Sequence, residues 1–210
     1  GRDGQYVRLR GQAASVLIDR ELTLPADTAG WLDSDIVDLP TERVVEVEIR
    51  HADGEQLKIR KQAVDDENFN LEGLPEGREI RSAYSVNSLA NALSGLTLEA
   101  VEPVQNRDWS EALEFRALTI DGLQLMARLL EVPGANEGND AEYWIHLEAG
   151  LFTTGVESAV ETGGDSDPAA AAEEINQRVG GWSYRIPKYK FDAMNKRMED
   201  VLLQTDSSAE

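Results

Sequence analysis

The chain has 210 residues, of which 41% are hydrophobic, so it can bury the core of one large domain or of two small ones. Its formal net charge of −20 makes it a polyanion, which excludes a nucleic-acid-binding protein unless the rare basic residues cluster. The sequence contains no cysteine, which excludes disulfides and cysteine-bound metals, and no apolar run of the roughly 18 residues that a membrane span needs.

Residues 1–42 predict a hairpin followed by a short helix. The strand-favouring segments YVRLR and SVLID flank a turn at Gly11-Gln12, and Pro25 is a suitable first residue for a helix that ends near Leu32. The sequence therefore begins almost directly with a strand, as a segment taken from a longer protein would.

Two later stretches predict β-hairpins of the same design. VVEVEIRHADGEQLKIR (44–60) and EALEFRALTIDGLQLMAR (111–128) alternate apolar and polar residues, which is typical of strands with one buried face. Each has an Asp-Gly pair between its strands, at Asp53-Gly54 and at Asp121-Gly122, and this pair favours a two-residue type I′ turn. Both turns share the pattern DGxQL. On the polar face of the first hairpin, Glu opposes Lys or Arg, which predicts a solvated face with exposed ion pairs.

Three segments predict helices, at 85–95, 168–179 and 188–203. Asp167 is a suitable N-cap for the second of them, and Gly180 is a suitable stop. The first and third helices also align, because the segment YSVNSL at Tyr84 matches YKFDAM at Tyr189. The two helix motifs are further apart in the chain than the two Asp-Gly turns are, so the second copy carries an insertion between its hairpin and its helix.

These patterns together predict an α+β fold. It consists of two related β-hairpin-plus-helix units, with antiparallel sheets and with helices packed on one face. The units are residues 43–107 and residues 108–205, with an insertion at 132–181 in the second. Residues 1–42 are a candidate partial third repeat, and residues 206–210 a disordered tail.

The sequence offers little catalytic chemistry. It has none of the motifs of serine hydrolases, zinc proteases, P-loop NTPases or dinucleotide-binding proteins. His51 and His146 each lie inside a predicted strand, where an ordinary structural histidine is the simpler interpretation. Two short Asp groups, at 33–38 and at 165–167, lack the spacing of a calcium loop. We therefore expect no enzyme activity, no cofactor and no metal, although buried carboxylate pairs leave an undetected hydrolase as an open alternative.

The C-terminal region is basic in an otherwise acidic chain. Residues 178–197 contain six basic residues and only one acidic residue, Asp192. We predict that the six cations form an interaction surface: Arg178, Arg185, Lys188, Lys190, Lys196 and Arg197. The simpler alternative is that they pair with acids of the same fold. The four tryptophans, at 31, 109, 144 and 182, are predicted to be core or sheet-packing residues rather than a ligand cage.

Several segments resemble an uncharacterised bacterial family, a domain of unknown function. The resemblance spans nearly the whole chain and is carried by the following anchors: Trp31-Leu32, Asp38-Leu39-Pro40, Asp53-Gly54, Trp182, Tyr184 and Ile186-Pro187. Members of this family occur with ABC transporters of the gliding-motility type and have an N-terminal membrane anchor and a further hairpin-helix copy upstream. The resemblance implies an exported accessory protein on the periplasmic side of the inner membrane, of which this chain is the soluble C-terminal part. It implies no catalytic residues.

Two functions follow as expectations. The first is a non-enzymatic interaction or scaffold module, with protein partners among the components of an ABC transport system, no nucleic-acid partner, and membrane attachment only through an anchor outside this chain. Exposed sheet edges and the basic C-terminal helix would supply its contacts. The second is a ligand-binding domain for a glycan or lipid fragment, in a cleft between the two units.

Overall fold

In a computed structural model, the chain divides into two compact units, Gly1–Asp33 and Ser34–Glu210. The structure describes residues 4–19, 22–25, 29–134, 140–152 and 167–204. The predicted acidic loop at 161–167, except Asp167, and the predicted tail at 206–210 lie outside these ranges. The predicted domain boundaries after residues 42 and 107 were drawn from the repeats and stay predictions.

The N-terminal unit contains an antiparallel hairpin, as the sequence predicted. Strand β1 (Gln5–Val7) pairs with β2 (Val16–Ile18), and both are shorter than the apolar pattern indicated. The helix predicted to begin at Pro25 falls partly outside the described residues. Its described end is a single 3-10 turn at Ala29–Trp31.

The C-terminal unit is built on an eight-stranded antiparallel sheet. The strands of this unit are β3 (Asp35–Val37), β4 (Val44–Arg50), β5 (Gln56–Arg60), β6 (Asn70–Glu72), β7 (Leu96–Thr97), β8 (Ala100–Pro103), β9 (Leu113–Thr119), β10 (Leu123–Val132), β11 (Glu142–Leu151) and β12 (Trp182–Ile186). The sheet order is β6-β5-β4-β9-β10-β11-β12-β8, and β3 pairs separately with β7. The predicted α+β class and antiparallel pairing are confirmed. However, the two hairpins do not lead separate sheets, because β4 pairs directly with β9.

Helices α1 (Ala83–Asn87), α2 (Pro168–Val179), α3 (Lys188–Met194) and α4 (Met198–Val201) belong to the same unit. The prediction for α2 is confirmed, including its cap, since Asp167 accepts hydrogen bonds from the backbone of Ala169 and Ala170. The first predicted helix begins earlier than expected, because Ser82 rather than Ser85 is its N-cap, and it continues as a 3-10 turn at Ser88–Asn91.

The last predicted helix, at 188–203, is wrong as a single element, since it breaks between α3 and α4. The cause is tertiary. Groups of the first hairpin turn bind the backbone at the break: the His51 ring nitrogen Nε2 lies 3.1 Å from the Lys196 carbonyl, and the Glu55 carboxylate accepts from the Met198 N–H at 3.0 Å. These bonds replace helical ones, so the chain bends where the hairpin holds it.

The core lies between one face of the large sheet and the helices. Alternate strand residues such as Ile49, Phe115 and Ile145 are at most 1% exposed and form one cluster with Val86 and Phe191 of the helices. Since every member of that cluster lies between Ile36 and Val201, the C-terminal unit has its own core without the N-terminal hairpin. The period-two alternation of the sequence thus predicted the buried face correctly.

Both hairpin turns differ from the predicted type I′ turn. Gly54 and Gly122 have φ of 90° and 88°, but no residue other than glycine has a positive φ in the described ranges, so neither Asp53 nor Asp121 adopts the conformation that type I′ requires. Instead, Gly54 N donates to the His51 carbonyl, and His51 N donates to the Glu55 carbonyl. This is a three-residue loop in which a left-handed glycine follows a tight turn.

The two hairpins share one register. Arg50 lies opposite Gln56 in the first, and Leu118 lies opposite Gln124 in the second, which are equivalent positions when the two Asp-Gly turns are aligned. Where β4 meets β9, Glu48 lies opposite Arg116, its own equivalent in the second hairpin. The strand that follows each hairpin, here called its third strand, is also placed equivalently. Asn70-Leu71-Glu72 of β6 pairs with β5 in the same register as His146-Leu147-Glu148 of β11 pairs with β10.

The two halves of this unit, residues 43–107 and 108–205, exchange their end segments: the end segment of each half pairs with a segment of the other half. Strand β8, which follows α1 in the chain, pairs with β12, which precedes α3. Reciprocally, Leu202, after α4, forms an antiparallel bridge with Ile80, before α1, and Arg81 N donates to the Val201 carbonyl at 2.8 Å. Each half therefore supplies an extended segment to the other.

Candidate functional site

Two of the six predicted interaction cations donate hydrogen bonds to backbone carbonyls that are distant in the sequence. Arg178 of α2 donates to the carbonyl of Ile36 at 3.0 Å, and Lys190 of α3 donates to the carbonyl of Ser94. Burial lowers the pKa of the Lys190 ammonium, although Asp38 opposes that shift. These two side chains therefore act within the fold.

Three others form ion pairs with acids of the same chain. Arg185 lies 3.4 Å from both Glu99 and Glu142, and Lys188 lies 2.7 Å from Asp192, one helical turn away. The hydrogen bond to Asp192 raises the pKa of the exposed Lys188 ammonium.

Arg197 is the third of these cations, and it ties the C-terminal region to the first hairpin turn. It pairs with Asp53 at 2.9 Å and with Glu55. The backbone N–H of Glu55 and the Arg197 guanidinium together lower the pKa of the Asp53 carboxyl.

The sixth cation, Lys196, contributes its carbonyl to His51, and its ammonium takes part in no ion pair within the ranges that the structure describes. Pairing within the fold, the simpler alternative, thus accounts for much of the basic stretch. Its role as an interaction surface stays a prediction.

Helices α1 and α3 each carry one exposed tyrosine. The sequence aligned these two residues in the helix motifs but did not identify them as candidate site residues. Tyr84 is 81% exposed and Tyr189 is 65% exposed. Each is the second residue of its helix, and each is followed two residues later by a buried side chain, Val86 and Phe191. The repeat match itself was the available signal, because it placed both tyrosines at one position of a shared plan.

Both histidines are part of the structural framework. His146 Nδ1 lies 2.9 Å from the Trp182 carbonyl, its Nε2 lies 3.2 Å from Glu148, and its ring packs against Trp109. His51 binds the backbone at the α3–α4 break. His146 lies inside β11, as predicted, whereas His51 directly follows β4, which ends at Arg50.

Two of the aspartates considered for a cation have other roles. Asp38 accepts hydrogen bonds from Gly95 N at 2.7 Å and Ser94 Oγ at 3.1 Å, and Asp167 caps α2, whereas Asp165 lies outside the described residues. Within the described ranges, no group of three or more His, Asp or Glu side chains is arranged to hold a metal ion.

The polar face of the first hairpin is less solvated than predicted. The side chains of Glu46 and Glu48 are only 8% and 6% exposed. Arg116 reaches both carboxylates, while Arg50 binds Glu48 and Lys58 binds Glu46. The long basic side chains of adjacent strands cover the carboxylates, so this is a semi-buried ion network.

The tryptophan prediction is half right. Trp144 is 5% exposed and lies under the Arg107 guanidinium, whose central carbon is 3.6 Å from the ring centroid. Trp109 packs on His146. In contrast, Trp31 is 63% exposed and Trp182 is 45% exposed, so the prediction of packed residues is wrong for these two.

A cavity of about 560 Å³ opens where β11, β12 and α3 meet. Its charged lining consists of Glu99, Asp140, Glu142, Arg185 and Lys188, and Tyr143 adds an aromatic wall. Glu99 belongs to the predicted unit 43–107 and the other lining residues belong to 108–205, so the cavity lies between the two predicted units, near the β8–β12 pairing rather than at the β4–β9 junction. Because Arg185 already pairs with Glu99 and Glu142, the groups here are largely neutralised.

Asp121, in the second hairpin turn, predicts a measurable pH dependence of stability. Its side chain is 8% exposed, it accepts from Arg43 at 2.7 Å, and it also accepts from the Thr119 hydroxyl. Burial raises the pKa of the Asp121 carboxyl, but the hydrogen bonds from Thr119 and Arg43, the charge of Arg43 and a backbone hydrogen bond together outweigh burial and hold that pKa below its ordinary value of 3.8. The stabilisation is therefore present above the unfolded pKa and is lost as the pH falls through the folded pKa.

We expect Asp121→Asn to lower the free energy of unfolding by about 1–2 kcal/mol at pH 7 and by clearly less near pH 2. Urea unfolding of both proteins at the two pH values measures this difference. A difference that stays constant with pH would show that the carboxylate charge is not what stabilises the turn.

Comparison with known proteins gives a family. The model of the family described as a domain of unknown function (DUF4340) matches residues 1–114, just over half of the chain. No curated protein and no solved structure matches the chain. None of the helices within the described ranges has the length and apolar character needed to cross a bilayer.

Proposed function

We propose that this chain, which belongs to the DUF4340 family of unknown function, acts as a non-enzymatic interaction module. In this proposal it is the extracytoplasmic part of a membrane-anchored accessory protein of an ABC transport system, on the periplasmic side of the inner membrane. The transporter and the compartment rest on the resemblance of the sequence segments alone. The observation that carries the interaction role is the pair of exposed tyrosines, Tyr84 and Tyr189.

We also propose that residues 43–107 and 108–205 arose as two copies of one plan. The shared register of the hairpins, the equivalent third strands and the reciprocal exchange of end segments support this. In an antiparallel pair, two equivalent residues face each other only at a local two-fold axis, and the pairing of Glu48 with Arg116 supports such an axis between β4 and β9. In this proposal the two tyrosines occupy equivalent positions of the two copies.

The tyrosines have the properties of binding residues. A large aromatic side chain that is mostly in water gains free energy when a partner covers it, and tyrosine is among the residue types that dominate protein interfaces. Each tyrosine sits on a helix whose next buried residue fixes it to the core, Val86 in α1 and Phe191 in α3. Little conformational entropy would therefore be lost on binding. Lys188, one of the six cations predicted to form an interaction surface, is next to Tyr189 in the sequence.

The test is site-specific photocrosslinking of the full-length protein in its native membrane. With a benzophenone amino acid at position 84 or 189, we expect crosslinks to a transporter subunit identified by mass spectrometry. The matched control is position 64, where Val64 is 52% exposed and lies in the loop between β5 and β6. Crosslinking equal to that of the control, or to no protein at all, would contradict the proposal.

Once the partner is purified, affinity gives a second measurement. The double change Tyr84→Ser and Tyr189→Ser is expected to weaken binding by about 30-fold or more, as the loss of an interface hot spot would. Because neither side chain belongs to the core cluster, the thermal unfolding midpoint should stay the same.

The alternative, a ligand-binding domain for a glycan or lipid fragment, has one observation in its favour. The cavity beside β11 combines carboxylates with the Tyr143 ring, a combination that suits sugar hydroxyl groups. A thermal shift with a soluble glycan that Glu142→Gln abolishes would favour this function over the first.

A further inference from the structure

The N-terminal hairpin leaves large apolar side chains in water on both of its faces. Tyr6 and Leu17 lie opposite each other and are 73% and 56% exposed, and Val16, on the other face, is 58% exposed. At the tip, Leu9 is 70% exposed. An isolated two-stranded hairpin is marginally stable at best in water, so this element gains from an apolar environment.

The same segment has a charge opposite to that of the chain. Residues 4–18 contain Arg8 and Arg10 and no acidic residue, in a protein with a formal net charge of −20. Both arginines are exposed. The hairpin therefore offers a positively charged contact for an anionic surface in spite of the net charge of the chain. At physiological salt the Debye length is about 8 Å, so repulsion between that surface and acidic residues further away is largely screened.

We propose that the β1–β2 hairpin inserts its apolar side chains into the interface of a bilayer containing anionic phospholipids, with Arg8 and Arg10 at the headgroups. A protein groove would cover one face of the hairpin, whereas a bilayer interface surrounds both faces and the tip. Further along the same unit, Trp31 is 63% exposed and Leu24 is 60% exposed, and tryptophan favours the membrane–water interface. This contact is independent of the tyrosine surface and adds to any separate anchor.

The test is flotation of the purified chain, residues 1–210, with vesicles of phosphatidylcholine alone or mixed equally with phosphatidylglycerol. We expect association with the mixed vesicles to exceed association with neutral ones and to fall at about 0.5 M salt. The triple change Tyr6→Ser, Leu9→Ser and Leu17→Ser should reduce association with mixed vesicles by about tenfold or more. The double change Arg8→Gln and Arg10→Gln should reduce it by about tenfold on mixed vesicles and leave the neutral ones unchanged.

Two controls make the outcome decisive. The core cluster contains no residue of Gly1–Asp33, so the thermal unfolding of the C-terminal unit should be unchanged in the hairpin variants. The matched variant Val64→Ser and Leu74→Ser removes exposed apolar side chains from the C-terminal unit and should bind vesicles like the wild type. The proposal is overturned if the wild type floats with neither vesicle, or if hairpin and control variants lose binding equally. Neither result would bear on crosslinking at Tyr84 and Tyr189.

Discussion

Replacing Phe115 by alanine is expected to lower the free energy of unfolding of the C-terminal unit by about 3–5 kcal/mol. Phe115 is 1% exposed and lies in β9, opposite Ile49 of β4 and Ala127 of β10. Its ring thus fills the core at the junction of the two predicted repeats. The loss includes both the transfer of the ring to water and the cavity that stays behind, because a sheet held on both sides can relax only in part.

The form of the unfolding curve carries as much information as its midpoint. Because one core cluster spans residues 36–201 and one sheet contains both hairpins, Phe115→Ala should shift a single cooperative transition in urea. A matched control is Leu151→Ala at the 51%-exposed end of β11, for which we expect a change within about 0.5 kcal/mol. Two separate transitions, of which Phe115→Ala moves one, would mean that the two predicted units fold as independent domains.

Replacing Arg116 by methionine is the second large effect, with an expected loss of about 3 kcal/mol. Methionine keeps much of the length and apolar stem of the side chain, so the change mainly removes the charge. Arg116 pairs with Glu48, whose side chain is 6% exposed, and also lies 3.8 Å from Glu46. Without it, two semi-buried carboxylates depend on Arg50 and Lys58 at the rim, and leaving such a charge partly unpaired costs more than the pair itself contributes.

Arg128 provides the comparison, on the neighbouring strand β10. Its partner Glu148 is 50% exposed, so Arg128→Met should change stability by less than about 1 kcal/mol. Guanidinium chloride is unsuitable for this measurement because it screens ion pairs, and urea at low salt should be used. Similar losses in the two variants would mean that burial of the carboxylates does not set the strength of these pairs.

Local features of the fold were predictable from the sequence. Period-two alternation defined β4, β5, β9 and β10 and their buried face, and Asp167-Pro168 defined the start of α2, because these signals depend on residues close in the chain. Long-range features were not predictable. No sequence pattern near Val44–Arg50 predicts that this strand pairs with β9 rather than forming the edge of a sheet. Likewise, no pattern near Ile80 predicts that Leu202 lies beside it.

The same distinction applies to the candidate site. The net charge of the basic stretch was readable from the sequence, but the partners of its cations were not, because Lys190 donates to the carbonyl of Ser94 and Arg197 pairs with Asp53 and Glu55, far away in the chain. The break before α4 is a related case, since partners from the first hairpin end a helix that local periodicity would continue. Exposure of Tyr84 and Tyr189 likewise depends on which helix face the sheet covers.

The exchange of end segments has a consequence for the order of events on the ribosome. The segment beside Ile80 finds its bridge partner Leu202 only after about 120 further residues have been made, which takes roughly 6–24 s at about 5–20 residues per second. During that interval the first half of the unit exposes an unfinished edge and part of its core. Nascent chains of this protein should therefore require protection by chaperones until the last helix emerges, and they should be most sensitive to protease just before it does.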